Sequence, residues 1–114
     1  MKTIIAGSRN LAEDSLVQEA IRESHFNITE VVSGGAVGID ELGEEWSRKN
    51  NVRLTRFIPD WTSYGKAAGV IRNGEMASYA EALIAVWDGK SRGTKNMIDQ
   101  AKKLGLKVYV KVVD

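Results

Sequence analysis

The sequence predicts an α/β fold in which a five-stranded parallel sheet is covered by helices on both faces. Short apolar runs of strand length alternate with segments whose apolar residues recur at helical spacing, which gives the order β-α-β-α-β-α-β-α-β. The apolar runs are continuous, as is typical of parallel strands buried on both faces. Because the chain has a single proline and no low-complexity tract, we expect residues 1–114 to form one domain.

In the first half of the chain, this pattern gives three strands and two helices. Leu16 and Ala20 are spaced as on one helical face, and so are Ile39 and Leu42. Pro59 ends the third strand, because proline cannot donate to a sheet ladder. The predicted elements are a strand over 3–6, a helix over 12–24, a strand centred on Val31 and Val32, a helix over 39–49 and a strand over 52–58.

In the second half, a long connection over 60–69 comes first, and we expect it to be irregular. Gly105 suits the end of the last helix, because glycine readily adopts the left-handed conformation that closes many helices. The predicted elements are a helix over 70–79, a strand over 82–87, a helix over 94–104 and a strand over 106–113. We expect the strand order 3-2-1-4-5, in which the order reverses between the first and fourth strands, where such sheets bind ligands.

The composition excludes several classes of function. The net charge of +1 provides no broad basic surface, which argues against nucleic acid as a partner. Cysteine is absent and His25 is the only histidine, so we expect no disulfide, no metal site and no histidine-based catalytic triad. Because no apolar run is long enough for a signal peptide or a membrane span, we expect a cytoplasmic protein with no membrane partner. We also expect no cofactor.

The segment between the fourth strand and the last helix is the strongest indication of a ligand site. It combines two glycines, two cations and two hydroxyl side chains near a predicted helix N-terminus, where unpaired N–H groups and the helix dipole favour an anion. Asp88, its acidic residue, would orient the loop or a sugar hydroxyl. We expect a phosphate to be bound by this segment, which comprises Asp88, Gly89, Lys90, Ser91, Arg92, Gly93 and Thr94.

Two further loops follow the first and second strands at the same predicted edge of the sheet. The first loop comprises Gly7, Ser8 and Arg9, and its arginine would bind an anion. The second loop comprises Ser33, Gly34, Gly35, Gly38 and Asp40. It matches neither a Walker loop nor the G-x-G-x-x-G fingerprint, and it is either a turn that needs positive φ or a turn that also binds an anion. Asp40 lies in the first turn of the predicted second helix, and it is either stabilised there by the helix dipole or accepts a hydrogen bond from a ribose hydroxyl.

Arg72 and Asn73 lie near the start of the predicted third helix. A cation opposes the helix dipole at that end, so Arg72 has another purpose, such as binding a phosphate or a carboxylate. Asn73 would cap the helix or bind a base or a sugar. We expect Met76 in the core and Glu75 in solvent, with catalysis as the alternative for Glu75.

Trp61 and Tyr64 lie in the long connection, close to Lys66. They either stack on a base or fix the connection to the body of the protein, and the sequence leaves both interpretations open. In a protein without a small ligand, they would instead anchor a protein interface.

Taken together and in this order, these segments resemble the YpsA-related SLOG proteins of bacteria and phages. The resemblance extends from Ile4 to Val110 and includes the segment 65–69 besides the loops above. It implies a Rossmann-like three-layer sandwich that binds nucleotides or nucleotide-derived ligands at the strand ends. Other SLOG domains sense signals derived from NAD or ADP-ribose, so the resemblance implies sensing or sequestration of such a ligand.

The same superfamily contains the LOG enzymes, which hydrolyse the N-glycosidic bond of nucleoside monophosphates. Arg72 and the pair 93–94 match hallmark residues of these enzymes. Asn96 and Met97, however, stand where the enzymes carry an acid, which Asp40 or another carboxylate would have to replace. The resemblance therefore implies a nucleoside 5′-monophosphate phosphoribohydrolase as an alternative, with the candidate catalytic residues Arg72, Glu75 and Asp88.

Three functions follow from the sequence. The first is binding of a nucleotide, or of a ligand derived from ADP-ribose or NAD, for sensing or sequestration. The second is the glycosidase, and the third is a protein-interaction module without a small ligand. We also expect a homo-oligomer, with Tyr79 or Trp46 on exposed helix faces as candidate contacts.

Overall fold

Five parallel strands form one sheet at the centre of the structure, a computed structural model that describes residues 1–114. The strands are β1 (Lys2–Gly7), β2 (Glu30–Ser33), β3 (Arg53–Arg56), β4 (Ala82–Trp87) and β5 (Lys107–Val112). They lie in the order β3-β2-β1-β4-β5, and all four pairings are parallel. The predicted fold class and strand order are confirmed.

Helices cover both faces of the sheet, as predicted for a three-layer sandwich. They are α1 (Asp14–Ser24), α2 (Ile39–Lys49), α3 (Trp61–Tyr64), α4 (Ala68–Tyr79) and α5 (Arg92–Lys103), with a 3₁₀ turn over Gly65–Ala67. On one face, residues of α1 and α2 pack in a core cluster with Ile5 and Ile84. On the other face, residues of α4 and α5 pack in a second cluster with Ile4 and Leu83.

The central strands β1 and β4 explain why the sequence shows continuous apolar runs. Residues Thr3–Ala6 of β1 and Ala82–Val86 of β4 are buried, because each strand has neighbours on both sides and helices above and below. Full burial of one aliphatic side chain is worth about 1.5–3 kcal/mol, so this core holds the two strand ends in a fixed relation. No helix of the structure is both long enough and apolar enough to cross a membrane.

The connection over 60–69 differs from the expected irregular loop. It forms α3 and the 3₁₀ turn, and α4 begins at Ala68 rather than at Val70. The Asp60 carboxylate accepts a hydrogen bond from the Ser63 backbone N–H at 3.0 Å, and this cap holds the short helix. Gly65 adopts φ +54° and ends it. The connection was predicted to be irregular because of its length, and the Asp60 cap that forms a short helix within it was missed.

Other boundaries differ from the prediction by one to two residues. Helix α1 begins at Asp14 rather than at residue 12, and β3 ends at Arg56. Helix α5 begins at Arg92, because Ser91 caps it by accepting a hydrogen bond from the Thr94 backbone N–H at 3.4 Å.

Candidate functional site

A cavity of about 390 Å³ lies at the carboxyl ends of β1 and β4, where the strand order reverses. Its wall combines two arginines, one carboxylate, several amide and hydroxyl groups, and four aliphatic side chains. The lining residues are Ala6, Gly7, Arg9, Asn10, Ala36, Asp40, Arg72, Asn73, Met76, Ser91, Gly93, Thr94 and Met97.

Arg72 reaches across the cavity from α4 to the loop after β2. Its Nη1 donates to the Gly34 carbonyl at 2.6 Å, and its Nε donates to Asn73 Oδ1 at 3.0 Å. A side chain at residue 34 would displace the guanidinium, because a Cβ there would lie 2.5 Å from Arg72 Nη1. Nη2 makes no hydrogen bond, and it is not buried, because no buried side-chain nitrogen in the structure lacks a partner.

Asp40 is the only carboxylate that lines the cavity. The residue is 4% exposed, and its Oδ2 accepts a hydrogen bond from the Ala36 backbone N–H at 3.2 Å. Burial raises the pKa of this carboxyl group to about 6, against the opposing effects of the Ala36 N–H and the Arg72 charge. Burial in turn lowers the pKa of the Arg72 guanidinium, while the Asp40 charge raises it. The two charges influence each other across the wall, although the side chains form no salt bridge and bind other partners.

The start of α5 forms a further part of the cavity wall. The Ser91 and Thr94 hydroxyl oxygens lie 3.1 Å apart, and both residues line the cavity. Asp88 shapes the preceding loop, because its carboxylate accepts hydrogen bonds from the backbone N–H groups of Lys90 and Ser91, each at 2.8 Å. These bonds, first that from Ser91 and then that from Lys90, hold the pKa of Asp88 below its usual value. Ser8 Oγ in turn accepts a hydrogen bond from the Asp88 backbone N–H at 3.1 Å.

Asn73 connects the two helices that flank the cavity. Its Nδ2 donates to the Gly93 carbonyl at 3.3 Å and to Asn96 Oδ1 at 3.1 Å. Its Oδ1 accepts the Arg72 Nε hydrogen bond. The amide thus holds Arg72 on α4 in a fixed position relative to the first turn of α5.

The loop after β2 is held mainly from behind the cavity. Ser33 is buried and donates to Glu44 Oε2 at 2.6 Å, and that carboxylate also binds Arg56 Nε at 3.1 Å. Gly38 has φ +86°, and a Cβ there would lie 2.8 Å from the Arg9 carbonyl oxygen. Position 38 therefore requires glycine because of its backbone conformation and the close approach of the Arg9 carbonyl, whether or not the loop binds an anion.

The structure brings together eight of the residues that the sequence predicts for the site. These cavity-lining residues are Gly7, Arg9, Asp40, Arg72, Asn73, Ser91, Gly93 and Thr94. The other predicted residues lie around the wall without lining it. Among them, Lys90 and Arg92 are exposed to solvent, and the rest are Ser8, Ser33, Gly34, Gly35, Gly38, Asp88 and Gly89.

Several lining residues were missed at the sequence level. Asn10 follows directly after Arg9, and its polar side chain at a strand end was an available signal. Ala36 and Met97 carry no signal, because small and aliphatic residues are read as turn or core. Met76 is buried in the core cluster, as predicted, and one side of it also reaches the cavity.

The candidate catalytic residues differ in their positions. Glu75 is exposed and lines a separate groove between α4 and α5, outside the cavity. Asp88 also lies outside the lining, and its hydrogen bonds favour the ionised form over the protonated one. Of the charged residues, Arg9, Asp40 and Arg72 line the cavity.

The two aromatic residues considered as contacts for self-association are not on free surfaces. Tyr79 is half-buried, donates a hydrogen bond to Glu30 and packs against Phe57. Trp46 packs against the core cluster on the α1 and α2 face. Self-association stays a prediction, with any contact surface elsewhere.

Comparison with known proteins identifies related chains. The family model described as "YspA, cpYpsA-related SLOG family" matches residues 1–64. The Gene 61 protein of Mycobacterium phage D29 is 32% identical over 117 residues, which cover 94% of this chain and 93% of that protein. The X-ray structure of DNA processing protein A (DprA) from Streptococcus pneumoniae superposes with a TM-score of 0.75 at 18% identity, covering 96% of this chain. The match covers 49% of the DprA chain, so this chain spans about half its length.

Proposed function

This chain belongs to the YspA, cpYpsA-related SLOG family, and we propose that it binds a nucleotide or a nucleotide-derived ligand of the ADP-ribose class. The ligand lies in the cavity at the carboxyl ends of β1 and β4, and binding serves sensing or sequestration. The observation that carries the proposal is Arg72, a half-buried residue of the cavity wall whose Nη2 is not buried and has no partner in the protein.

The anionic end of the ligand is bound by Arg72 together with Arg9 and the first turn of α5. Arginine presents a planar fork of N–H donors that suits a phosphate. Because Nε and one N–H of Nη1 are held by Asn73 and Gly34, the remaining donors are already oriented before the ligand arrives. Little side-chain entropy is then lost on binding.

The sugar is bound by Asp40. An ionised carboxylate accepts hydrogen bonds from hydroxyl groups, and Asp40 provides it in a wall otherwise rich in donors. The cavity volume of about 390 Å³ lies within the range of small-molecule sites, which is roughly 300–1,000 Å³. A sugar phosphate with hydroxyl groups at one end and an anion at the other matches this distribution of charge.

The test is equilibrium dialysis of the purified protein with AMP, NAD and ADP-ribose, followed by chromatography of both compartments. We expect a ligand to be retained intact by the wild-type protein. Arg72→Ala should weaken its binding by about 30-fold or more, because truncation of one partner of a desolvated charge pair costs about 2–5 kcal/mol. Arg22→Ala, which changes an exposed residue of α1, is the matched control and should leave binding unchanged.

Other outcomes would redirect the assignment. Unchanged affinity in Arg72→Ala would remove this residue from the site. If no small ligand is retained by the wild-type protein, a protein-interaction module becomes the better hypothesis.

A second candidate is cleavage of the N-glycosidic bond, and Asp40 is the observation that favours it. A carboxyl group with a pKa of about 6 beside an arginine is suited to donate or accept a proton near neutral pH. Free base and ribose phosphate in the dialysate would indicate this activity. Asp40→Asn should then abolish turnover, whereas Glu75→Gln should leave it unchanged, because Glu75 lies outside the cavity.

A further inference from the structure

The cavity contains no aromatic side chain on which a base can stack. Its aliphatic lining comes from Ala6, Ala36, Met76 and Met97, and no aromatic side chain contributes to it. Proteins generally bind bases by stacking them on aromatic rings, which is worth about 1–3 kcal/mol per base. If the proposed function is correct, the base of the ligand extends beyond the cavity to a surface on its rim.

Trp61 and Tyr64 are the two large aromatic residues that the structure leaves exposed. Their exposed fractions are 54% and 52%. The other aromatic side chains are at least partly buried, including Trp87, whose indole N–H donates to the Ser91 carbonyl at 3.0 Å. Rings that fix a segment to the protein body are buried by doing so, so exposure of both rings argues against that role here.

Trp61 lies beside the helix face that lines the cavity. Arg72, Asn73 and Met76 reach the cavity from one face of α4. Gly69 lies three residues before Arg72, one turn earlier on the same face. The Trp61 ring passes over it, since a Cβ at Gly69 would lie 3.8 Å from Trp61 Cη2. The indole therefore extends the Arg72 side of the cavity outward by about one helical turn.

The short helix α3 presents the two rings together. Tyr64 follows Trp61 by three residues, so both lie on the same side of one turn. The turn is closed by the Tyr64 N–H bond to the Asp60 carbonyl at 3.0 Å and by the Asp60 side-chain cap on Ser63. The rings are thus carried by a formed turn before any ligand binds.

From this arrangement we infer that Trp61, assisted by Tyr64, is the stacking surface for the base of a nucleotide whose sugar and phosphate occupy the cavity. This inference rests on the proposed function and adds where the base lies. A ligand that contains a base therefore gains affinity over the same sugar phosphate without one. The gain depends on the aromatic character of residue 61 and not on its hydrogen-bonding groups.

The test compares AMP with ribose 5-phosphate by isothermal titration calorimetry. In the wild-type protein, AMP should bind more tightly than ribose 5-phosphate. Trp61→Ala should weaken AMP binding by about 5- to 100-fold and leave the affinity for ribose 5-phosphate unchanged. Trp61→Phe should keep most of the AMP affinity, and Tyr64→Ala should have a smaller effect than Trp61→Ala. Far-UV circular dichroism and thermal unfolding confirm that the variants are folded.

Tryptophan fluorescence provides a second measurement. The chain has three tryptophans, and the Trp87 indole binds the carbonyl of the lining residue Ser91. AMP should therefore quench part of the emission in the wild-type protein and in Trp46→Phe, and a smaller part in Trp61→Phe, in which Trp87 remains beside the cavity.

The outcomes separate the two proposals. Equal AMP affinity in the wild-type protein and Trp61→Ala would overturn the stacking surface and leave the cavity assignment standing. Failure of the wild-type protein to bind any nucleotide or sugar phosphate would overturn both.

Discussion

The contact between Gly34 and Arg72 leads to a quantitative prediction for the substitution Gly34→Ala. Gly34 has no positive φ, so alanine is compatible with its backbone, and the effect is confined to the added methyl group. That carbon would lie 2.5 Å from Arg72 Nη1 and 2.8 Å from Cζ. The guanidinium must therefore move by about 1 Å to restore an ordinary contact. This movement breaks the 2.6 Å hydrogen bond from Nη1 to the residue 34 carbonyl.

The expected loss of stability follows from that bond. Hydrogen bonds to charged groups contribute about 1.5–3 kcal/mol when buried, and Arg72 is half-buried, so we expect Gly34→Ala to lower the free energy of unfolding by about 1–2 kcal/mol. Gly93→Ala is the comparison for stability alone. A Cβ at Gly93 meets nothing within 4 Å, and alanine is favoured over glycine in a helix by up to about 1 kcal/mol.

Urea denaturation of the single variants and of Arg72→Ala/Gly34→Ala measures the effect. In the Arg72→Ala background the added methyl group meets no guanidinium, so its cost should fall below about 0.5 kcal/mol, which gives a coupling energy of at least about 0.5 kcal/mol. An equal cost of Gly34→Ala in both backgrounds would refute the argument, because the penalty would then come from the backbone or from another neighbour.

Two further predictions concern Asp40 and the cap of α5. The folded-state pKa of Asp40, about 6, lies above its unfolded value of 3.8, so the native protein binds more protons between these values and loses stability as pH rises from about 4 to 6. Asp40→Asn should therefore have a higher free energy of unfolding than the wild-type protein at pH 7, by roughly 1–3 kcal/mol in urea denaturation, and this difference should shrink toward pH 4. No gain in stability at pH 7 would contradict the desolvation argument. Ser91→Ala removes the side chain that accepts the Thr94 N–H bond and should cost about 1 kcal/mol in thermal or urea unfolding, whereas an unchanged stability would show that the cap contributes nothing.

The fold could be predicted from the sequence because its signals are local and repeated. Continuous apolar runs such as that of β4 and the helical spacing in α1 and α2 each report burial on their own. The helix dipole also indicated that Arg72 needed a partner other than the helix. That partner, the Gly34 carbonyl, lies 38 residues away in sequence and required the fold to be found.

The features of the site that could not be predicted depend on which way each side chain points rather than on its residue type. Lys90 and Arg92 are cations in a loop at the cavity edge, yet both are exposed and outside the lining. The Asp88 carboxylate and the Trp87 indole hold the loop backbone, and Ser91 rather than its charged neighbours reaches the cavity. Ala36 lines the wall only because the loop after β2 passes beside it. Charge and composition carry no information about these orientations.

The space around Gly7 and Ala36 determines which substitutions the cavity wall can accept. A Cβ at Gly7 would lie 2.3 Å from the Val86 carbonyl oxygen and 2.8 Å from Ile39, so the floor of the cavity admits no other residue without rebuilding the sheet. A side chain at Gly34 would meet only the end of the flexible Arg72 side chain, which must move to admit it. Ala36 is only partly buried and lines the same cavity. A larger side chain at residue 36 can therefore change the shape of the cavity without displacing the sheet, whereas one at residue 7 cannot.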